Sequence, residues 1–147
     1  MKLVFFNLRE DEKSALESWR NAHPEVEIDV YTEELSSANK HLLEGKQGVV
    51  LAQNKPFESD VYEYAHEQGI KVFATRSAGF DIYDLELMNK YGIKMTNVPS
   101  YSPNAIAEHV LTTALRISRN TNKIQRNLEK HNFSWNPGIL SRELRTL

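Results

Sequence analysis

Five short apolar runs, Leu3–Phe6, Val26–Tyr31, Val49–Ala52, Val72–Ala74 and Ile93–Thr96, alternate with longer polar segments, and this pattern constrains the fold more than any other feature. Runs this short suit strands covered on both faces, and the segments between them carry helical period. The pattern therefore predicts a parallel sheet with crossover helices. Between the first two runs, Ala15, Leu16, Trp19 and Ala22 fall on one helix face, while Glu12, Lys13, Glu17 and Arg20 cover the other. Two later segments echo each other: Glu-Gln-Gly69-Ile-Lys-Val72 and Lys-Tyr-Gly92-Ile-Lys-Met95 each set a glycine just past a helical stretch and before a strand, the place of a left-handed cap. With right-handed crossovers, five such strands give an α/β fold, a doubly wound parallel sheet of flavodoxin-like order.

Composition narrows the function. The 147 residues, 40% of them apolar, suffice for one core, or for one domain and part of another. A formal net charge of −2 gives no global attraction to nucleic acid or to an anionic membrane. The opening apolar run is broken by Asn7 and followed by the charged Arg9-Glu-Asp-Glu-Lys13, too soon for a signal peptide. The next longest run, Val49–Ala52, is far below the roughly 20 residues of a membrane helix. Small molecules or proteins are the expected partners, with neither nucleic acid nor membrane. Without cysteine there is no disulfide and no thiolate, so a cytoplasmic setting is the expectation. His23, His41, His66 and His131 lack metal-ligand spacing, and no metal site is expected. The stripe Arg116, Arg119, Lys123, Arg126 and Lys130 has no interleaved aromatics and reads as a solvated or subunit-facing helix side.

Two loops fall at the carboxyl ends of strands, where open α/β sheets bind ligands. The first, Arg76-Ser-Ala-Gly-Phe-Asp81, follows the fourth run. Gly79 there permits close backbone approach or positive φ, and successive N–H groups would form a nest for a carboxylate. The same residues also fit a plain turn in which Asp81 caps a helix over Tyr83–Asn89. The second loop, Asn97–Ser102, leads from strand to helix: Val98-Pro99 ends the extended run, Pro103 presets a first helical position, and Ser102 before it suits an N-cap. Tyr101 on this stiff corner either aims its hydroxyl at a ligand or packs its ring under the helix. From Pro103 to about Lys130 one long helix is expected, its first half banded by Ile106, Val110, Leu111, Ala114, Leu115 and Ile117 and its second half basic, crossing from one core to another. Glu108 and His109 point a quarter-turn apart and read as structural groups. The tail from His131, with Trp135, Pro137 and Gly138, reads as an irregular arm with a helical turn around Ser141-Arg-Glu-Leu144. Glu10-Asp-Glu12 is similar to the acidic pocket of a receiver domain. The third strand nevertheless ends in Ala52-Gln-Asn54 without a phospho-accepting aspartate, and the same acids would repel a flavin phosphate.

Over essentially its whole length the chain resembles the NAD-dependent D-2-hydroxyacid dehydrogenases, above all their lactate-forming members. The resemblance is carried by Arg9-Glu-Asp-Glu-Lys13, Arg76-Ser-Ala-Gly-Phe-Asp81, the long Ile93-Lys-Met-Thr-Asn-Val-Pro-Ser-Tyr-Ser-Pro-Asn-Ala-Ile-Ala-Glu-His109 and Ser141-Arg-Glu-Leu-Arg145. It implies a flavodoxin-like substrate (catalytic) domain over residues 1–100. Residues 101–147 would be an interdomain helix and the start of a Rossmann NAD-binding domain. It also implies substrate contacts from Ser77, Ala78, Gly79 and Tyr101, with the backbone of Ala78 and Gly79 holding a carboxylate, and packing of Ile106 against the nicotinamide. The implied chemistry is hydride transfer between NAD and a small 2-keto or 2-hydroxy acid, pyruvate and D-lactate the leading pair, in a homodimer. The family's catalytic Arg, Glu and His and its Gly-x-Gly-x-x-Gly come from later sequence, so no catalytic residue is expected in this chain, and these residues alone are expected to be inactive. Ala52 stands where some lactate-using members have tyrosine, which leaves more room beside the substrate and the acid's identity open; Ser77 stands where many have asparagine, so the resemblance implies the loop's backbone role more firmly than its side-chain role. A non-enzymatic flavodoxin-like module binding a small acid or a protein is the alternative.

Overall fold

Five parallel strands coincide with the five apolar runs: β1 (Lys2–Phe5), β2 (Glu27–Val30), β3 (Gly48–Leu51), β4 (Val72–Thr75) and β5 (Lys94–Thr96). The computed structural model describes residues 1–135 and 139–146, so the expectation for Pro137 and Gly138 lies outside the described residues. The strand order is β2-β1-β3-β4-β5, the flavodoxin-like order, with every pairing parallel. Parallel neighbours require crossovers, and α1 (Lys13–Ala22), α2 (Ser59–Glu67) and α3 (Leu85–Lys90) supply three of the four. The fourth differs from expectation. The segment between β2 and β3 forms only a short 3-10 turn, Lys40–Leu43, because its polar side chains capture the backbone first. Asn39 Oδ1 accepts from the Ser36 N–H at 2.8 Å, and Asn39 Nδ2 donates to the Glu34 carbonyl at 2.9 Å. Such local bonds compete with helix formation.

The glycine echo has the geometry that the sequence required. Gly69 and Gly92 stand at φ 77° and 66° just past α2 and α3. Behind them, Ile70 N–H donates to the Ala65 carbonyl at 3.0 Å and Ile93 N–H to that of Met88 at 2.8 Å, closing both helix ends and delivering the chain into β4 and β5.

The two sheet faces are unequal. On one, Val4, Phe6, Val49, Leu51 and Phe73 are fully buried against Val61, Tyr62 and Ala65 of α2 and Met88 of α3. On the other, Leu3, Ile28, Val50, Val72 and Ala74 stay half-buried, and α1 buries no residue completely. Leu16 is half-buried and Trp19 remains 39% exposed, beside a cavity of about 310 Å³ lined by Leu3, Phe5, Leu16, Trp19, Ile28 and Val50.

The described residues form two compact units, the first of Met1–Tyr101 and the second beginning at Ser102. Within the second, the single helix expected from Pro103 to Lys130 is two helices, α4 (Pro103–Ser118) and α5 (Thr121–Glu129). Asn120 breaks them apart at φ 51°, a conformation that its short polar side chain tolerates better than most. The apolar band of α4 is uncovered, with Ile106, Val110, Leu111 and Ile117 all more than half exposed. The arm returns to the break, where Arg142 N–H donates to the Ser118 carbonyl at 2.8 Å and Ser141 Oγ to that of Arg119 at 2.9 Å. Its helical turn lies at Leu144–Thr146, slightly later than the sequence suggested.

Candidate functional site

In the loop that leaves β4, the three successive carbonyls of Ser77, Ala78 and Gly79 are consumed. Val98 N–H donates to the Ser77 carbonyl at 3.1 Å, the Asn97 side-chain amide to that of Ala78 at 2.8 Å, and Ser77 Oγ to that of Gly79 at 2.8 Å. The N–H groups of Ala78 and Gly79, both exposed residues, have no acceptor among the described residues. What remains free at Ala78 and Gly79 is donor capacity, the arrangement that suits an anion. A line of hydroxyls supports it from the core. Each hydroxyl has one proton, and Ser77 Oγ spends its own on Gly79, so Thr75 Oγ1 donates to Ser77 Oγ at 2.7 Å and Tyr83 Oη to Thr75 Oγ1 at 3.2 Å. Tyr83 and Thr75 are buried, so the relay runs from a fixed interior outward.

Gly79 does not adopt a left-handed φ, and a Cβ added to it would meet only Asp81 Oδ2, at 3.9 Å. Neither conformation nor internal packing demands glycine there. Asp81 does not cap the next helix: Asp84 is the N-cap, its Oδ1 accepting from Leu87 N–H at 2.9 Å, and α3 starts at Leu85. The plain-turn alternative thus loses its capping role for Asp81.

The bonds from Asn97 and Val98 to the Ser77–Ala78 carbonyls bring the two sequence-identified loops onto one rim, at the carboxyl ends of β4 and β5. Tyr101 ends that corner with 82% of its surface exposed, so its ring is not packed away. Arg9 is held above its ordinary pKa first by Asp11 and then by Glu12. Ser102 occupies the N-cap position with Pro103 after it, as expected, yet its hydroxyl makes no capping bond. Ile106 stands two-thirds exposed on α4, and Glu108 and His109 are exposed rather than built into packing. Ala52, at the end of β3, is half-buried and its carbonyl accepts from the Asn7 side-chain amide.

Sequence reasoning assigned no role to Arg76, and the structure gives it the densest contacts at this rim. Its guanidinium grips Glu12 with Nε–Oε1 and Nη2–Oε2 both at 3.0 Å, in a pairing whose side chains are 17% and 21% exposed. The available signal was an arginine at one strand's end and the acidic run Glu10–Glu12 after another. Burial pushes the Glu12 carboxyl up, but Arg76 and the Arg9 N–H outweigh it and hold the group below the ordinary carboxylate range. A carboxyl depressed by folding stabilises the fold above its unfolded pKa and loses that contribution as pH falls through the folded one. Melting temperature is therefore expected to drop below about pH 4.5, with Asp11, Glu58 and Asp60, also depressed, contributing. Glu12→Gln is expected to make that decline shallower. Identical acid slopes for the two proteins would refute the assignment.

Among the described residues no cluster of His, Asp or Glu is arranged to hold a metal ion, and no helix is long and apolar enough to cross a membrane. Residues 2–134 match the catalytic domain of the D-isomer specific 2-hydroxyacid dehydrogenases. The chain is 47% identical over 145 residues to a D-lactate dehydrogenase of Treponema pallidum, covering 99% of this chain and 44% of that protein. A D-lactate dehydrogenase of Streptococcus agalactiae is 41% identical over 144 residues, covering 98% and 43%. The crystal structure of the Treponema pallidum D-lactate dehydrogenase superposes with a TM-score of 0.82 over 99% of this chain and 44% of that one. The Aquifex aeolicus D-lactate dehydrogenase, complexed with NAD and lactic acid, gives 0.84 at 25% identity, covering 99% and 42%. The chain thus spans less than half the length of the relatives it matches. On the family match, the strand order and the identity carried across its whole length, this chain belongs to the D-isomer specific 2-hydroxyacid dehydrogenases.

Proposed function

We propose that this chain is the substrate-binding portion of an NAD-dependent D-lactate dehydrogenase, interconverting pyruvate with NADH and D-lactate with NAD. The observation that carries the reading is the β4 loop, in which the carbonyls of Ser77, Ala78 and Gly79 are bonded while the N–H groups of Ala78 and Gly79 have no acceptor among the described residues, beside an exposed Tyr101. In this reading those two amides hold the substrate carboxylate and so fix the keto carbon in place. Ser77 shapes the loop through its hydroxyl rather than touching substrate, since that hydroxyl is committed to Thr75 and Gly79. Tyr101 donates from the open side. An exposed aliphatic side chain suits the flat face of a nicotinamide ring, and Ile106 is the residue proposed to meet it. NAD, when bound, supplies or accepts the hydride.

The proton donor for the developing alkoxide, the carboxylate that orients it and an arginine polarising the carbonyl are proposed to come from sequence beyond residue 147. So is the glycine-rich turn for the dinucleotide. The division into a substrate domain over 1–100 and an interdomain helix from 101, the homodimer and the cytoplasmic setting belong to the same proposal. The small Ala52 at the rim favours a site with spare room beside the substrate. A D-2-hydroxyisocaproate dehydrogenase, 33% identical with a TM-score of 0.81, makes a branched keto acid the natural competitor to pyruvate.

The test is NADH oxidation by the full-length gene product with pyruvate and with 2-ketoisocaproate, with the lactate formed resolved on a chiral column. D-lactate from pyruvate is expected from the full-length protein, and no turnover from the 147 residues alone. Steady NADH oxidation by the short chain, or a full-length protein that reduces no 2-keto acid, would overturn the reading.

A further inference from the structure

Arg76 precedes Ser77 directly, and four of its five N–H groups are engaged. Besides the two bonds to Glu12, Nη1 donates to the Phe6 carbonyl at 3.0 Å and Nη2 to the Asn7 carbonyl at 2.7 Å. The guanidinium carbon lies 4.0 Å from the centre of the Phe5 ring. Its own backbone N–H donates to the Leu51 carbonyl at 2.9 Å. Asn7, held at φ 54°, reaches in turn from the end of β1 to the Ala52 carbonyl at the end of β3. Arg76, through its side chain and its backbone N–H together, thus links the carboxyl ends of β1, β3 and β4 to the start of α1.

We infer that Arg76 is the positioning residue of the substrate loop, acting through the clamp Glu12–Arg76–Asn7 to hold the Ala78 and Gly79 amides where a carboxylate meets both; this rests on the function proposed above. The loop is fixed at both shoulders: the Asn97 and Val98 bonds hold its outer side, and Arg76 holds its root. A carboxylate bound by two amides is sensitive to their separation and direction, because each bond weakens steeply with misalignment. A shift at the root is passed to both donors at once. The chemistry asks for arginine in particular. Its planar fork grips a carboxylate bidentately and leaves edges for two carbonyls and a face for a ring, whereas lysine brings a single point charge and no plane.

The prediction separates positioning from bulk stability. In the full-length enzyme, Arg76→Lys is expected to raise the KM for the keto acid about tenfold, the scale of a sub-ångström misplacement of binding groups, while the KM for NADH stays within about twofold. Glu12→Gln keeps an acceptor for the fork but loses the charge, so about a threefold rise in the keto-acid KM is expected. Wild-type protein that reduces no 2-keto acid would overturn the functional reading and this inference with it. An active wild type whose two variants leave the keto-acid KM unchanged, or raise both KM values together, overturns the inference alone. Failure of both variants to fold would show Arg76 to be a structural tie only, which also overturns it.

Discussion

Gly79→Val is expected to leave the fold intact while reducing kcat/KM for the keto acid about a hundredfold in the full-length enzyme, the cost of displacing a reactant by roughly 1 Å. The reasoning starts from what the position does not need. The backbone is outside the left-handed region, so a side chain is not strained there, and a new Cβ meets only a carboxylate oxygen at ordinary contact distance. In such a place glycine-to-valine normally changes stability by about 0.5 kcal/mol or less, as for surface positions generally. What valine does occupy is the space above an exposed, donor-bearing loop. The bulk would stand where the proposed carboxylate must approach the Ala78 and Gly79 amides. Gly79→Ala should fall between wild type and valine, because one methyl obstructs less than a branched side chain. A valine variant with wild-type kcat/KM would mean that the carboxylate binds elsewhere. A valine variant that melts many degrees lower would mean that Gly79 is there for the fold.

The strand pattern was legible because parallel strands are short and apolar and their crossovers carry a different period, and the caps at Gly69 and Gly92 could be read because only a left-handed turn explains a glycine at that spot twice over. The convergence of the two loops was legible too, since strand ends on a parallel sheet share one edge. Other features were hidden for physical reasons. The break at Asn120 follows from one residue's tolerance of a left-handed turn inside a segment whose periodicity runs on unbroken. The irregular β2–β3 crossover is decided by side-chain bonds such as the Gln53 amide, which clasps both the N–H and the carbonyl of Leu35, 18 residues earlier in the chain. The Arg76–Glu12 clamp joins residues 64 apart, and no local pattern announces a pair that only the sheet order brings together. The uncovered helix faces of α1 and α4 look the same in sequence as covered ones.

Phe73→Ala carries the largest stability change expected of this chain, a loss of about 3–5 kcal/mol in urea unfolding, the range for removing a fully buried aromatic ring. Phe73 sits in the middle of β4, paired in register with Val49 on one side and Met95 on the other, with none of its surface exposed. Its ring centre lies 6.0 Å from that of Phe57 and 6.3 Å from that of Tyr62, and Phe57 stands 5.8 Å from Tyr83. Such rings have no room to collapse inward, because they are anchored elsewhere. The Asp84 N–H donates to Tyr62 Oη at 2.8 Å, and the Tyr83 hydroxyl begins the relay to Thr75, Ser77 and the Gly79 carbonyl. Truncation would therefore leave a cavity beneath the β4 loop rather than a repacked core. A domain of this size is stable by only about 5–15 kcal/mol, so the variant gives up a large fraction of the total. Phe73→Leu, which preserves most of the volume, should cost less than about 1.5 kcal/mol. Phe80→Ala, at a ring 41% exposed, provides the control, with a change of about 0.5 kcal/mol or less expected. If Phe73→Ala cost no more than Phe80→Ala, the aromatic cluster could not be what holds the β4 loop in place. The loop's geometry would then rest on the Arg76 clamp and the Asn97 and Val98 bonds.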